Sequence, residues 1–278
     1  MSSAIRYAAI DWDSRQIEIE YQWLGGDDVD RPLMIFLHEG LGSLSMWKDF
    51  PERLCERLGC RGVVYSRPGY GQSTPRPVDE RWAPDFMHRQ AYDVLPRFLE
   101  VLEVNLEATP VWLFGHSDGG SIALLFAAKY TRQVAGLIVL SPHIMVEDIS
   151  IESIQAARQV YLQTDLKQRL SRYHNDPDSA FWGWNNIWLH DDFRHWTIEE
   201  EISSIRCPLL AVQGIDDEYG TLEQVHGIGR RLNQCEVVEL PECGHSPHRD
   251  QAEKLIEISQ RFFQGRSREF EEMFNQVG

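Results

Sequence analysis

The sequence predicts an α/β protein, a mostly parallel sheet flanked by helices with an inserted helical segment, and three observations carry that prediction. Six short runs, residues 33–37, 62–65, 111–114, 136–140, 209–212 and 237–240, are rich in Val, Ile, Leu and aromatics and are bounded by Gly, Pro, Asp or Ser. Continuous apolar runs of this length suit strands covered on both faces. Between the runs lie stretches of helical periodicity, and strands alternating with helices imply parallel pairing. One interval, 143–205, interrupts the alternation.

In chain order, residues 4–10 and 16–23 alternate polar and apolar side chains and read as half-buried strands joined by a turn at Asp11-Trp12-Asp13-Ser14. After the runs at 33–37 and 62–65, the segment 85–106 places Met87, Ala91, Val94, Leu95, Phe98, Leu99 and Leu102 three and four residues apart, which puts them on one helix face. Residues 117–130, 222–232 and 251–263 follow the same period. The interval 143–205 holds no convincing strand, several weak helices, and Trp182, Trp184, Trp188 and Trp196. Connections between core elements have a median of about 4–6 residues, so this stretch is read as an inserted helical cap. The core domain is then 1–142 and 206–278.

Composition narrows the function classes. At 278 residues with 42% hydrophobic and 25% charged residues, the chain has the usage of an ordinary globular protein. No apolar stretch approaches the roughly 17–25 residues of a membrane-crossing helix. Lys and Arg number 27 against 43 Asp and Glu, a formal net charge of −16, which repels phosphate backbones and argues against nucleic acid and anionic lipid as partners. Five cysteines, Cys55, Cys60, Cys207, Cys235 and Cys243, are odd in number and scattered, which disfavours both a disulfide framework and a structural zinc. Residues 1–21 contain Arg6, Asp11, Asp13 and Glu18 where a secretory signal needs an unbroken apolar core, so cytoplasmic residence is the expectation.

The most informative segment is Val111-Trp112-Leu113-Phe114-Gly115-His116-Ser117-Asp118-Gly119-Gly120, an apolar strand followed at once by a helical run. A chain that turns sharply from strand to helix at one Ser crowds the positions two before and two after it, and Gly115 and Gly119 occupy those positions. The turn exposes the Ser117 hydroxyl at a helix N-terminus, where free N–H groups point at whatever the hydroxyl attacks. From Arg31 to Phe263 the chain resembles the α/β-hydrolase-fold enzymes that carry a helical cap, and the remaining motifs fall in that family's order.

That order is Ser, then Asp or Glu, then His. His245, in Gly244-His245 before the last long helix, matches the family's catalytic base, with His248 as the second choice. Asp217, three residues after Gly214, occupies the position the family gives to the acid; Asp216 and Glu218 are its neighbours, and Glu147 and Asp148 are an alternative acid pair. His38-Glu39-Gly40-Leu41-Gly42 resembles the oxyanion loop, with Glu39 where Gly is usual, so the resemblance implies oxyanion donors from the Gly40 and Asp118 N–H groups. Glu39 either holds this loop through a hydrogen bond or touches substrate. His38 and the loop 66–73, which opens on Ser66 in place of the family's Asp, are read as structural.

The Trp-dense stretch suits a pocket for an apolar or aromatic group, and serves equally as packing for the cap. Arg172, Tyr173, His174 and Arg194 are candidates to meet a polar substrate group, and a strongly anionic substrate is disfavoured unless a cation lies at the pocket. The leading reading is a serine hydrolase of a small ester, thioester or lactone, needing no metal or organic cofactor. A carbon–carbon bond hydrolase of a ring-cleavage product and a small-molecule receptor on the same fold are the alternatives. Oligomeric state is left open.

Overall fold

Eight strands form one sheet in the computed structural model, which describes residues 4–26, 29–108 and 110–277, with side chains through Gly265. The strands are β1 (Arg6–Trp12), β2 (Arg15–Leu24), β3 (Leu33–Leu37), β4 (Arg61–Tyr65), β5 (Val111–His116), β6 (Val134–Leu140), β7 (Leu209–Gly214) and β8 (Cys235–Leu240). Their spatial order is β1-β2-β4-β3-β5-β6-β7-β8. Every pair from β4 to β8 is parallel, while β1–β2 and β2–β4 are antiparallel. The N-terminal turn is tighter than the sequence reading: Asp11 and Trp12 pair with Gln16 and Arg15, so only Asp13 and Ser14 remain in the loop, both at positive φ. Two consecutive left-handed residues match the right-handed twist of the strands they join, and Asp and Ser can substitute there for the usual Gly.

The helices are α1 (Phe50–Leu58), α2 (Phe86–Arg89), which passes through a π-helical turn (Gln90–Val94) into α3 (Leu95–Val101), α4 (Asp118–Lys129), α5 (Asp148–Gln163), α6 (Leu166–Leu170), α7 (Pro177–Trp188), α8 (Glu223–Arg231), α9 (Pro247–Asp250) and α10 (Ala252–Val277). Successive strand residues point to opposite faces, and here both faces are apolar. Ile35, Leu113, Leu137 and Ala211 join one core with α3 and α4; Phe36, Phe114, Ile138 and Val212 join the other with α1 and α10. That double burial is why the strands read as unbroken apolar runs.

The segment between β6 and β7 is helical, as its length suggests, carrying α5, α6, α7 and two short 3-10 turns. A single antiparallel bridge, Met145 to Thr197, closes its base. Strand β3 lies between β4 and β5, so the chain reverses its direction of travel across the sheet there. In open α/β sheets the crevice beyond the carboxyl ends of strands at such a reversal is where ligands bind.

Candidate active site

The turn between β5 and α4 is built as its glycines require. Ser117 has φ 53° and ψ −122°, a left-handed conformation that few residues other than Gly adopt, and its N–H is held by the Leu140 carbonyl at 2.9 Å. A Cβ on Gly115 would lie 2.7 Å from Gly120 Cα, and one on Gly119 would overlap the Leu37 and His38 carbonyl oxygens. The end of β3 is thereby pressed against the first turn of α4, bringing the loop of Glu39 and Gly40 beside Ser117.

A cavity of about 280 Å³ opens there, lined by Ser117, Asp118, Gly40 and His245 among others. Asp217 lies behind His245, buried: its Oδ1 is 2.8 Å from His245 Nδ1. A carboxylate can only accept, so Nδ1 carries the proton and Nε2 is left with a free lone pair. Burial pushes the Asp217 carboxyl up, but the hydrogen bond and charge of His245, with the Tyr219 N–H, more than offset this and hold it at about 2. Its other oxygen accepts from Gln213 Nε2 at 3.2 Å, and Gln213 is itself pinned by the Gly220 and Thr221 carbonyls. The His245 backbone is fixed as well: its N–H donates to Glu218, and its carbonyl accepts from His116 Nε2 at 2.7 Å.

The alternatives weighed from sequence are occupied elsewhere. His248 is buried against Trp47 and His116, and burial pushes its imidazole well below the ordinary range. Glu147 accepts from Thr221 and Gln224, and Asp148 pairs with Arg194 on the surface. Asp216 is exposed. Of the four polar candidates in the inserted segment, Arg194 is taken by that ion pair. His174 is buried, with Nδ1 accepting from the Gly71 N–H and Nε2 donating to the Leu41 carbonyl, so it pins the segment to two core loops.

Glu39 lines the cavity, and its carboxylate pairs with Arg249 at 2.9 Å and faces His116 Nδ1 at 3.6 Å. Its carbonyl accepts from His38 Nδ1 and Arg67, while His38 Nε2 accepts from the Arg67 N–H. Burial keeps His38 neutral, with its pKa far below the ordinary imidazole range. Ser66 likewise serves structure, donating to the buried Glu20 and accepting from the Leu44 N–H.

The four Trp residues divide. Trp184 and Trp188 line the cavity with Ile154 and Leu170, whereas Trp196 stacks on Phe193 and Trp182 packs edge-on to Tyr161. A Cβ on Gly40 would overlap the Trp184 indole, so the loop glycine makes room for the aromatic wall. Trp188 Nε1 donates to Asp118 Oδ1 at 3.2 Å, and Arg67 Nη2 lies 3.8 Å from Oδ2. Burial raises the Asp118 carboxyl to about 6 against the pull of both partners.

Sequence reasoning missed Gln213, Tyr219, His143 and His116. His143 packs on Trp188 and His245, donates Nε2–H to the Tyr219 carbonyl, and is kept neutral by burial with a pKa of about 4. Only His116, adjacent to the nucleophile candidate, carried a positional signal. Among the described residues no group of three or more His, Cys, Asp or Glu could hold a metal ion, and no helix is long and apolar enough to cross a membrane.

The chain is 25% identical over 214 residues to the human protein serine hydrolase BPHL, covering 73% of this chain and 69% of that one. A thermophilic esterase from Thermogutta terrifontis superposes with a TM-score of 0.69 at 19% identity, over 95% of this chain and 99% of that one. A meta-cleavage product hydrolase from Pseudomonas fluorescens IP01 gives a TM-score of 0.64 at 17% identity, over 90% and 95%. At these identities the two structures establish likeness of fold alone. The model of the alpha/beta hydrolase family matches residues 34–258. With that match spanning most of the sequence, and with a mostly parallel sheet whose β5 turns into α4 at an elbow on Ser117, the chain belongs to the α/β-hydrolase family.

Proposed function

We propose that the protein is a serine hydrolase that cleaves a small carboxylic ester, thioester or lactone through an acyl-enzyme on Ser117. The observation that carries this reading is the pairing of the buried Asp217 carboxylate with Nδ1 of His245, beside a cavity that His245 shares with Ser117 at its strained turn. With its Nδ1 proton held, His245 takes the Ser117 proton on Nε2 as the hydroxyl attacks the carbonyl, and returns it to the leaving group. Asp217 orients the ring and stabilises the imidazolium. The oxyanion is met by the N–H of Asp118, the first residue of α4, and by the N–H of Gly40. Water then attacks the acyl-enzyme with His245 again as the base.

The segment 143–205 acts as a cap on the core formed by 1–142 and 206–278. Its Ile154, Leu170, Trp184 and Trp188 give the cavity an apolar, aromatic wall suited to an apolar or aromatic substrate group. About 280 Å³ lies at the lower end of ligand sites, which favours a compact group over a long acyl chain.

The test is labelling with a fluorophosphonate probe together with turnover of short p-nitrophenyl esters. The reading expects both, and expects Ser117→Ala and His245→Ala to remove nearly all turnover. A wild-type protein that neither labels nor hydrolyses any of these esters would refute it.

A further inference from the structure

Gly40, Ser117 and His245 stand at the ends of β3, β5 and β8, and one side chain from the first of these places reaches both of the others. Glu39 Oε1 accepts from Arg249 Nη2 at 2.9 Å, and Arg249 lies in α9, four residues after His245. Glu39 Oε2 stands 3.6 Å from Nδ1 of His116, the buried residue before Ser117. His116 Nε2 in turn donates to the His245 carbonyl at 2.7 Å. In the sheet β3 and β8 are separated by β5, β6 and β7, so no ladder hydrogen bond couples their ends. A Cβ on Gly42 would collide with the Glu39 carboxylate, and the glycine keeps that place clear for it. The peptide between Glu39 and Gly40 is held as well: its carbonyl accepts from the Gly42 N–H, His38 Nδ1 and Arg67 Nη2, at 3.0, 2.7 and 2.9 Å. Because a peptide unit is planar, pinning that carbonyl fixes the direction of the Gly40 N–H.

We infer that Glu39 is a positioning residue: through Arg249 and His116 its side chain sets the loop of Gly40 in register with Ser117 and with the loop of His245. The inference rests on the hydrolase reading above and deepens it. Glu39 acts through other groups and not on the substrate, so its loss falls on the step that needs oxyanion donor, nucleophile and base together. Binding of an uncharged ester does not need that register, whereas a misplacement of about 1 Å costs about 10²-fold in the chemical step. The two contacts use different oxygens, and that makes geometry separable from charge. A Gln in this place keeps Oε1 as the acceptor for Arg249 and turns an amide N–H toward His116 Nδ1, whose lone pair can accept it while Nε2 still donates to the His245 carbonyl. A Met of similar length keeps neither contact.

The experiment measures kcat and KM separately on p-nitrophenyl butyrate, an uncharged ester, for wild type, Glu39→Met, Glu39→Gln, Arg249→Met and the double variant Glu39→Met/Arg249→Met, with circular dichroism to confirm folding. Glu39→Met should lower kcat about 10²-fold with KM within about threefold of wild type, and Glu39→Gln should recover kcat to within about fivefold. Arg249→Met, which breaks one of the two contacts, should lower kcat about tenfold, and adding it to Glu39→Met should cost nothing further, because the pair works as one unit. Arg249 is exposed, so its variant and Glu39→Gln carry the test if Glu39→Met does not fold. A raised KM with kcat held would make Glu39 a substrate contact and overturn the inference. It is overturned equally by an unchanged kcat in Glu39→Met or Arg249→Met, by a Gln variant as slow as the Met variant, or by additive losses in the double variant, and in each of these cases the hydrolase reading stands. A wild type that turns over neither this ester nor shorter ones removes the hydrolase reading and the inference together.

Discussion

Replacing Asp217 by Asn tests the geometry behind His245 more sharply than removing the side chain does. In the structure Asp217 only accepts: Oδ1 from His245 Nδ1 and the Tyr219 N–H, Oδ2 from Gln213 Nε2. An amide must turn one edge into a donor. Facing Gln213, its NH₂ meets another NH₂ that the Gly220 and Thr221 carbonyls prevent from turning. Facing His245, it forces the lone pair onto Nδ1 and the proton onto Nε2, the wrong tautomer to accept from Ser117. Burial pushes the carboxyl up, and the hydrogen bond and charge of His245, the Tyr219 N–H and the charge of His143 together bring it down to about 2, so the site is built for an acceptor that carries charge. Losing that charge and the tautomer together should cost about 10³–10⁴-fold in kcat. Steady-state kinetics on a p-nitrophenyl ester near pH 8, with circular dichroism to confirm folding, reads it. Activity within a few-fold of wild type would refute the reasoning and return the acid role to Asp216, Glu218 or the Glu147–Asp148 pair.

Other expectations follow from single contacts. Gly119→Ala places a methyl on the Leu37 and His38 carbonyls, which are backbone and cannot yield, so thermal denaturation should show a loss of about 3 kcal/mol or more; an unchanged Tm would contradict the packing of the elbow. Gly40→Ala should lower kcat/KM at least tenfold by displacing Trp184, and Trp184→Ala in the same chain should restore part of it, since the added methyl then has room. If the second change restores nothing, the glycine is needed for something other than space. Buried His143 and His174 have pKa values lowered to about 4 from 6.5, so they stay neutral when folded and gain protons when unfolded. Their contribution is complete above pH 6.5 and lost as the pH falls to about 4, about 3 kcal/mol for each across that window. Urea denaturation from pH 7 to 4.5 checks this, and His174→Gln, whose amide can accept from Gly71 and donate to Leu41, should flatten the dependence.

The parts legible in the sequence are those where one local constraint decides the outcome. The central strands β3 to β7 are apolar on both faces because helices cover both, and that leaves unbroken runs. Gly115 and Gly119 mark the elbow because a side chain at either position collides with backbone. The sequence spreads the first turn over Asp11 to Ser14 instead of Asp13 and Ser14 alone, because its two left-handed positions hold no glycine to announce them. The role of Gln213 was invisible for a different reason. It lies inside β7, four residues before Asp217, and nothing local distinguishes a strand Gln that satisfies loop carbonyls from one that faces solvent. His143, three residues after β6, meets Tyr219 only across the inserted helices, 76 positions on, and Glu39 gains its partner Arg249 from 210 positions away. Spacing carries no signal across such distances.

The measurement that bears most directly on the central claim is where a fluorophosphonate attaches. Intact-mass analysis followed by peptide mapping should find one adduct, on Ser117, absent from Ser117→Ala and strongly slowed in His245→Ala. Modification of another residue, or equal labelling of Ser117→Ala, would contradict the account.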